Sequence, residues 1–495
     1  MTDTSRLQNG TAKHAGSLMP VFPPSRPDRV LAPPASSGTA AAAPEQERLS
    51  FAQWAWIAAL TLLLLDSLIS YFLSTFTGKD LPINALVALV ALSATVIFGL
   101  YRIIPPPVAL VNLFLLFLGL SVGIITIDKL PLTMFIGLFG VLIAFSIGYA
   151  AIRWNSNAEV FRLVFVGVGA LYAVICTVAL LKIHPSLFPL EYTNWGYEGR
   201  LYERPQVTTD QNTQVFYLLM IPLVFSLANR AWLIAASSAS LMCSFYILSQ
   251  LQTRSGILVL GALTVFSLAS PLWYKELGRK KLLLLPLFVI VPLAALVGGF
   301  LDDQLDAILL RFSNTEETGG GRLLALQYLF SRIGNTVFWL PQGEVDWRRI
   351  HSGGSPHSMP TVMFLYGGLP ALVGWAGLFV LPTIALGWRF LTKKLDRLEI
   401  MIFVAGMGSL VLSMSLPHPF NDQAWLWTGA AVGALERSRR REIAAARERV
   451  PLLPRQPLVK AEAAVPETAK GGRARPGREP WRRSTGAAGM TGVAK

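Results

Sequence analysis

Residues 107–127 read PVALVNLFLLFLGLSVGIITI and carry no formal charge. Wound as an α-helix at 1.5 Å per residue, such a run spans about 30 Å, the depth of a bilayer's hydrocarbon core. A helix that is apolar all round belongs in a membrane or a very large core. The run is one of a series. Hydropathy marks further spans at about 51–76, 81–100, 131–152, 160–183, 214–229, 231–250, 255–274, 282–301, 369–388, 398–416 and 421–435. The expected fold class is therefore an all-α integral membrane protein of about twelve transmembrane helices. Most loops are very short; the two long ones are 184–213 and 302–357, the second lying between spans nine and ten.

Composition agrees. The 495 residues are 53% hydrophobic and only 15% charged, whereas a soluble domain carries roughly 25% charged residues. That excludes a soluble enzyme, a secreted disulfide scaffold and a disordered regulator. The net charge of +14 would suggest nucleic acid on a soluble protein. Its distribution says otherwise. With the N-terminus inside, the short cytoplasmic loops hold twelve Lys/Arg against four acids. The long loops are acidic: 184–213 has two Arg against four acids, and 302–357 five Arg against seven. By the positive-inside rule both termini are expected in the cytoplasm and both long loops outside.

The ends read as tails. Residues 1–50 are rich in Pro, Ala and Ser, without an apolar h-region, and are expected to be a disordered cytoplasmic tail. Residues 51–435 form the membrane domain. Residues 436–495 hold fifteen Lys/Arg against six Glu and read as a basic, largely disordered cytoplasmic tail. Within it, Glu436–Arg449 has two readings: a basic helix on anionic lipid, or a positive tail holding the last span inside.

Cys176 and Cys243 fall within spans and read as packing residues. No motif for a nucleotide motor or metal site is present, so no metal and no cofactor is expected. Four of the five histidines, His184, His351, His357 and His418, map to the outer side, as the longer loops there would also give. His357 sits in HSGGSPHSMP, residues 351–360, just before apolar chain resumes. A neutral imidazole there can take a proton from a hydroxyl near physiological pH; a solvated loop histidine looks the same in sequence. Arg254, in QTRSG at 252–256, stands at the outer end of a span, where a guanidinium is costly unless paired or snorkelling. Arg322 follows Gly319–Gly321 and opens an amphipathic stretch, a placement that suits an anion or an ordinary loop arginine. Asp66 is the one acid deep in a span.

These pieces have an order: Thr253–Gly256 (TRSG), Gly321–Arg322, Pro341–Gly343 (Pro–x–Gly), His357, then Phe364–Gly368 (FLYGG) and a last group of spans. In that order, over roughly residues 200–390, the chain resembles the O-antigen ligase and Wzy-type O-antigen polymerase superfamily, bacterial polytopic membrane glycan ligases and polymerases. TRSG is similar to that family's Ser–Arg–small–small motif, and His357 to the His of its His–Asn motif. Asp210–Asn212 is similar to its Asp–x–Asn lead-in. Ser358 stands where Asn is usual, and Leu326 where Trp often follows the Gly–Arg.

The resemblance implies a glycosyltransferase of the bacterial inner membrane with its site on the periplasmic side. The donor would be an undecaprenyl-pyrophosphate-linked glycan, the acceptor a glycan or lipid A-core, and no nucleic acid is involved. Arg254 and Arg322 would neutralise the leaving pyrophosphate bidentately, without a metal. His357 would be the general base for an inverting attack. His351 competes for that role, and Ser358, Asn212 and Arg200 are secondary candidates. Trp195, Tyr197 and Trp347 suit sugar contacts or interfacial anchoring equally. The competing classes are a lipid-linked glycan flippase or twelve-span transporter, and an assembly scaffold using the basic tail.

Overall fold

A computed structural model describes residues 51–77, 104–126, 132–154, 158–188, 190–194, 201–205, 231–250, 254–274, 327–332, 339–343, 358–414 and 422–449, with scattered single positions between. The chain is a multi-pass membrane protein built from helices. In order they are α1 (Phe51–Thr77), α2 (Pro107–Thr126), α3 (Leu132–Arg153) and α4 (Ala158–Leu180). A hairpin follows, β1 (Leu190–Asn194) and β2 (Leu201–Pro205). Then come α5 (Ala231–Gln250), α6 (Arg254–Trp273), α7 (Met359–Leu391), α8 (Arg397–Ser413) and α9 (Asp422–Arg449). Among the described residues five helices are long and apolar enough to cross a membrane, or six if α1, bent by 63° beyond Asp66, counts as one span. The expected spans at 81–100, 214–229 and 282–301 lie largely outside the described residues.

Two helices overrun the hydropathy reading. The expected span at 369–388 belongs to a helix that starts at Met359, and the one at 421–435 to a helix that runs on to Arg449. Hydropathy falls at Ser, Pro and Gly, and again at charge, but Ala, Arg and Glu are strong helix formers and carry α9 onward. The loop 184–213 holds an antiparallel hairpin, with Leu190 opposite Pro205 and Asn194 opposite Leu201. Hydropathy over long windows does not register five-residue strands.

Hydrogen bonds between elements sort the helix ends into two groups. Gln53 Nε2 donates to the Trp154 carbonyl (3.1 Å), and Arg153 to the Ile104 carbonyl (3.2 Å). Tyr274 Oη donates to the Phe390 carbonyl (3.0 Å). The starts of α1 and α2 thus share an end with the finish of α3, and the finish of α6 lies with that of α7. At the opposite end Tyr71 Oη donates to the Leu187 carbonyl (3.2 Å), beside the edge-on rings of Phe72 and Phe188. This end carries the hairpin, so it is called the loop end. Trp54, Trp232, Trp273 and Trp388 are all exposed at helix termini away from it, as interfacial tryptophans are in membrane proteins.

The bundle is held by two glycine seams. On α3 and α9, a β-carbon at Gly429 would come within 1.9 Å of the Phe145 carbonyl oxygen, and one at Gly148 within 2.1 Å of the Leu426 oxygen. On α2 and α7, Gly119 abuts the Gly367 carbonyl and Gly123 the Tyr366 carbonyl, while Gly374 abuts the backbone at Asn112. Gly119–Gly123 and Gly429–Gly433 are both G-x-x-x-G pairs, the spacing that lets membrane helices approach backbone to backbone. Large side chains fill the flanks, among them Trp425 edge-on to Phe379 and Trp427 against Phe165.

Helix α7 is broken at Gly368, whose φ of 63° and ψ of −164° lie in a region that is essentially glycine's alone. A β-carbon there would also meet the Trp339 carbonyl oxygen at 2.4 Å. Gly368→Ala is therefore expected to destabilise the fold by about 1–3 kcal/mol or more. A thermal melt in detergent, with Gly387→Ala on the same helix as control, checks this. An unchanged midpoint for Gly368→Ala would contradict it.

At the end opposite the hairpin, α9 docks its basic stretch onto its neighbours through ion pairs. Arg153 pairs with Glu436 (2.9 Å) and Arg437 with Asp396 (3.0 Å). Arg389 and Lys394 both reach Glu442 at 2.9 Å, and Arg441 pairs with the buried Glu399. Arg389 also donates to Ser438 Oγ at 2.8 Å. Residues 436–442 thus pack on the bundle, and the helix continues to Arg449 with residues 443–446 exposed. The Lys394 ammonium, with Arg389 beside it, holds the Glu442 carboxyl below the usual glutamate value. A depressed carboxylate stabilises the folded form above its unfolded value and stops doing so as pH falls through the folded one. Hydrogen exchange of residues 437–449 should therefore rise as acidification passes below the ordinary glutamate range, with Glu442→Gln raising it already at pH 7. Equal exchange in variant and parent at pH 7 would refute the pairing.

Candidate functional site

The sequence places the candidate chemistry around residues 341–368, and part of that region is described. Ser358 precedes α7 in an extended conformation, with Pro360 at the second helical position, where its fixed φ suits a helix start. Met359 through Leu365 are all buried, Phe364 and Leu365 completely. Tyr328 and Leu329 pack on Phe364 and Leu365 and form a small core of their own. The break at Gly368 follows, and residues 339–343 lie over it. The Gln342 N–H donates to the Leu365 carbonyl at 2.9 Å, and Pro341 lies near Gly123 of α2.

Two sequence motifs thus meet. The Pro–x–Gly at 341–343 sits on the FLYGG at 364–368, and α2 supports both from behind. The glycines have a packing reason: Gly367 and Gly368 leave room for α2 and for the Trp339 carbonyl. Sequence reading saw the motif but missed its partner. The signal was present in the G-x-x-x-G pair of α2.

Arg254 is the first residue of α6. Helix α6 ends beside α7, where Lys393 lies 5.6 Å over the Trp273 ring. Nineteen residues earlier, Arg254 is about 28 Å away at the loop end. Helix α7 runs the same way, so both helices start at that end. Both present N-termini there, each with a partial positive charge. Ser358 is 1% exposed and its hydroxyl has no hydrogen-bond partner. His357, Arg322, His351, Asn212 and Arg200 lie outside the described residues, as do His418, Trp195, Tyr197 and Trp347. His184 is described: it is exposed in the turn after α4, its Nδ1 3.1 Å from Ser186 Oγ. Asp66 is buried at the bend of α1, where the Gln423 side chain donates to the Leu63 carbonyl at 3.1 Å. Among the described residues no three His, Cys, Asp or Glu converge as a metal site.

No protein-family model matches the chain, and no curated protein matches it.

Proposed function

We propose that the protein is a membrane glycosyltransferase that moves or polymerises a polyprenyl-pyrophosphate-linked glycan at the loop end of the bundle. The observation that carries this reading is the convergence at residues 339–368. Two motifs of the resemblance, distant in sequence, pack together beside the chain position of His357, and Arg254 begins its helix at the same end.

The chemistry follows from residue types. An imidazole at 357 takes the proton of an acceptor hydroxyl as it attacks the anomeric carbon, and the pyrophosphate leaves from the opposite face with inversion. Arg254 and Arg322 compensate the charge developing on the leaving group, as planar guanidinium forks do. The long loop that carries Arg322 and His357 brings donor and acceptor together, replacing a bimolecular encounter by a held one. Basic residues at the other end support a cytoplasmic assignment for that end and a periplasmic one for the loop end.

The test is direct. The purified protein in lipid nanodiscs is supplied with a polyprenyl-pyrophosphate-linked oligosaccharide, with and without a lipid A-core acceptor. Chain lengthening identifies a polymerase, and movement to the second lipid a ligase. Neither product, with correctly folded protein, would refute the proposal.

A second reading rests on the buried Asp66 at the bend of α1. Acids inside a membrane commonly mark transport paths. Substrate crossing a sealed vesicle without glycan transfer would favour it.

A further inference from the structure

We propose that the start of α7 is an anion subsite, in which the Ser358 hydroxyl and the first-turn amide of Met359 hold a phosphate oxygen of a lipid-linked donor. The inference rests on the transferase reading for its ligand and on the geometry of α7 for its place.

A serine before a helix ordinarily uses its side-chain oxygen to accept from the amide of the second or third helical residue. Ser358 occupies that position, with φ −154° and ψ 120°, yet makes no such bond. The second helical residue is Pro360, which has no N–H to offer. The hydroxyl is also buried and has no hydrogen-bond partner among the described residues. Buried polar atoms are nearly always bonded, and one that is not calls for an explanation. A bound acceptor supplies it.

The local field selects the kind of acceptor. The N-terminus of a helix favours negative charge and points its first N–H groups outward. Met359, Val362, Met363 and Phe364 of the turns that follow are all buried, and a low-dielectric setting strengthens bonds to an anionic oxygen. A phosphate oxygen accepts from a hydroxyl and an amide together, which a sugar hydroxyl at a helix N-terminus does less well. Entry has to displace whatever covers Ser358. A ligand anchored in the bilayer beside the site does so at high effective concentration.

The experiment uses the full chain in nanodiscs, with farnesyl pyrophosphate and inorganic pyrophosphate as probes and farnesol as the neutral control. Binding and the thermal midpoint are measured for wild type and Ser358→Ala. The expected result is binding of farnesyl pyrophosphate that weakens about tenfold or more in Ser358→Ala, the loss typical of one hydrogen bond to a charged group. Without ligand, the variant should melt no lower than wild type, because its missing hydroxyl bonded to nothing. Equal binding by the two proteins, or none by wild type, would overturn the subsite. Ser358-dependent binding of inorganic pyrophosphate as tight as that of the farnesyl compound would overturn the lipid-linked assignment. Ser358-dependent binding without any glycan transfer by wild type refutes the transferase and leaves the subsite standing.

Discussion

His357→Ala should lose glycan transfer by about 10²–10⁴-fold, the usual contribution of a positioned acid–base group, while the protein inserts and melts as the parent does. The argument is one of position. Residue 357 adjoins Ser358, which is buried and opens a helix whose first turns are enclosed on all sides. In the chain, residue 357 is one position from that start and residue 351 seven. The pair of variants therefore discriminates: His351→Ala should retain most activity. A His357→Ala protein with near-normal transfer, or a His351→Ala protein that is the more damaged, would move the base role elsewhere. Arginine variants refine the picture. A lysine at 254 keeps the charge but not the planar fork, so Arg254→Lys should be impaired as well.

Gly429→Val should be severely damaging to the membrane domain. The β-carbon alone would stand 1.9 Å from the Phe145 carbonyl oxygen, a backbone atom that cannot swing aside. Helices α3 and α9 would have to separate, and with them Trp427 would lose its place against Phe165. Overpacking costs about 1–3 kcal/mol where side chains can adjust, and more where two backbones are forced apart. The expected outcome is protein that expresses poorly and elutes as aggregate on size exclusion. Gly167→Val, at a position with open space around it, is the control and should behave as wild type. A monodisperse Gly429→Val protein with an unchanged melt would show that the seam is not what holds α3 to α9.

Much of the scaffold was legible because a membrane helix announces itself by length and apolar content. The reading at 231–250 coincides with α5, and those at 107–127 and 255–274 differ from α2 and α6 by one residue at an end. Legibility failed where a helix is held by something other than lipid. The first turns of α7 contain Pro and Thr and fall between the expected loop, which ends at 357, and the expected span, which begins at 369, yet protein encloses them. The basic extension of α9 reads as a solvated tail because its ion-pair partners, Asp396, Glu399, Arg389 and Arg153, are distant in sequence. The site is legible in residue types and order only. The meeting of Pro341–Gly343 with FLYGG depends on the tertiary approach of α2, which no local pattern encodes.

The glycine seam between α2 and α7 has a consequence for how such a protein can diversify. It fixes α7 against α2 from Tyr366 to Gly374, past the point where the long loop ends. Insertions or deletions between about residues 302 and 326, ahead of the Tyr328–Leu329 contact with α7, can then reshape what the loop grips without changing the register of α7. The same change between 358 and 368 would slide the helix past its seam. Recognition and chemistry are in this sense inherited separately, one by a stretch of chain free to change length, the other by a pair of helices that is not.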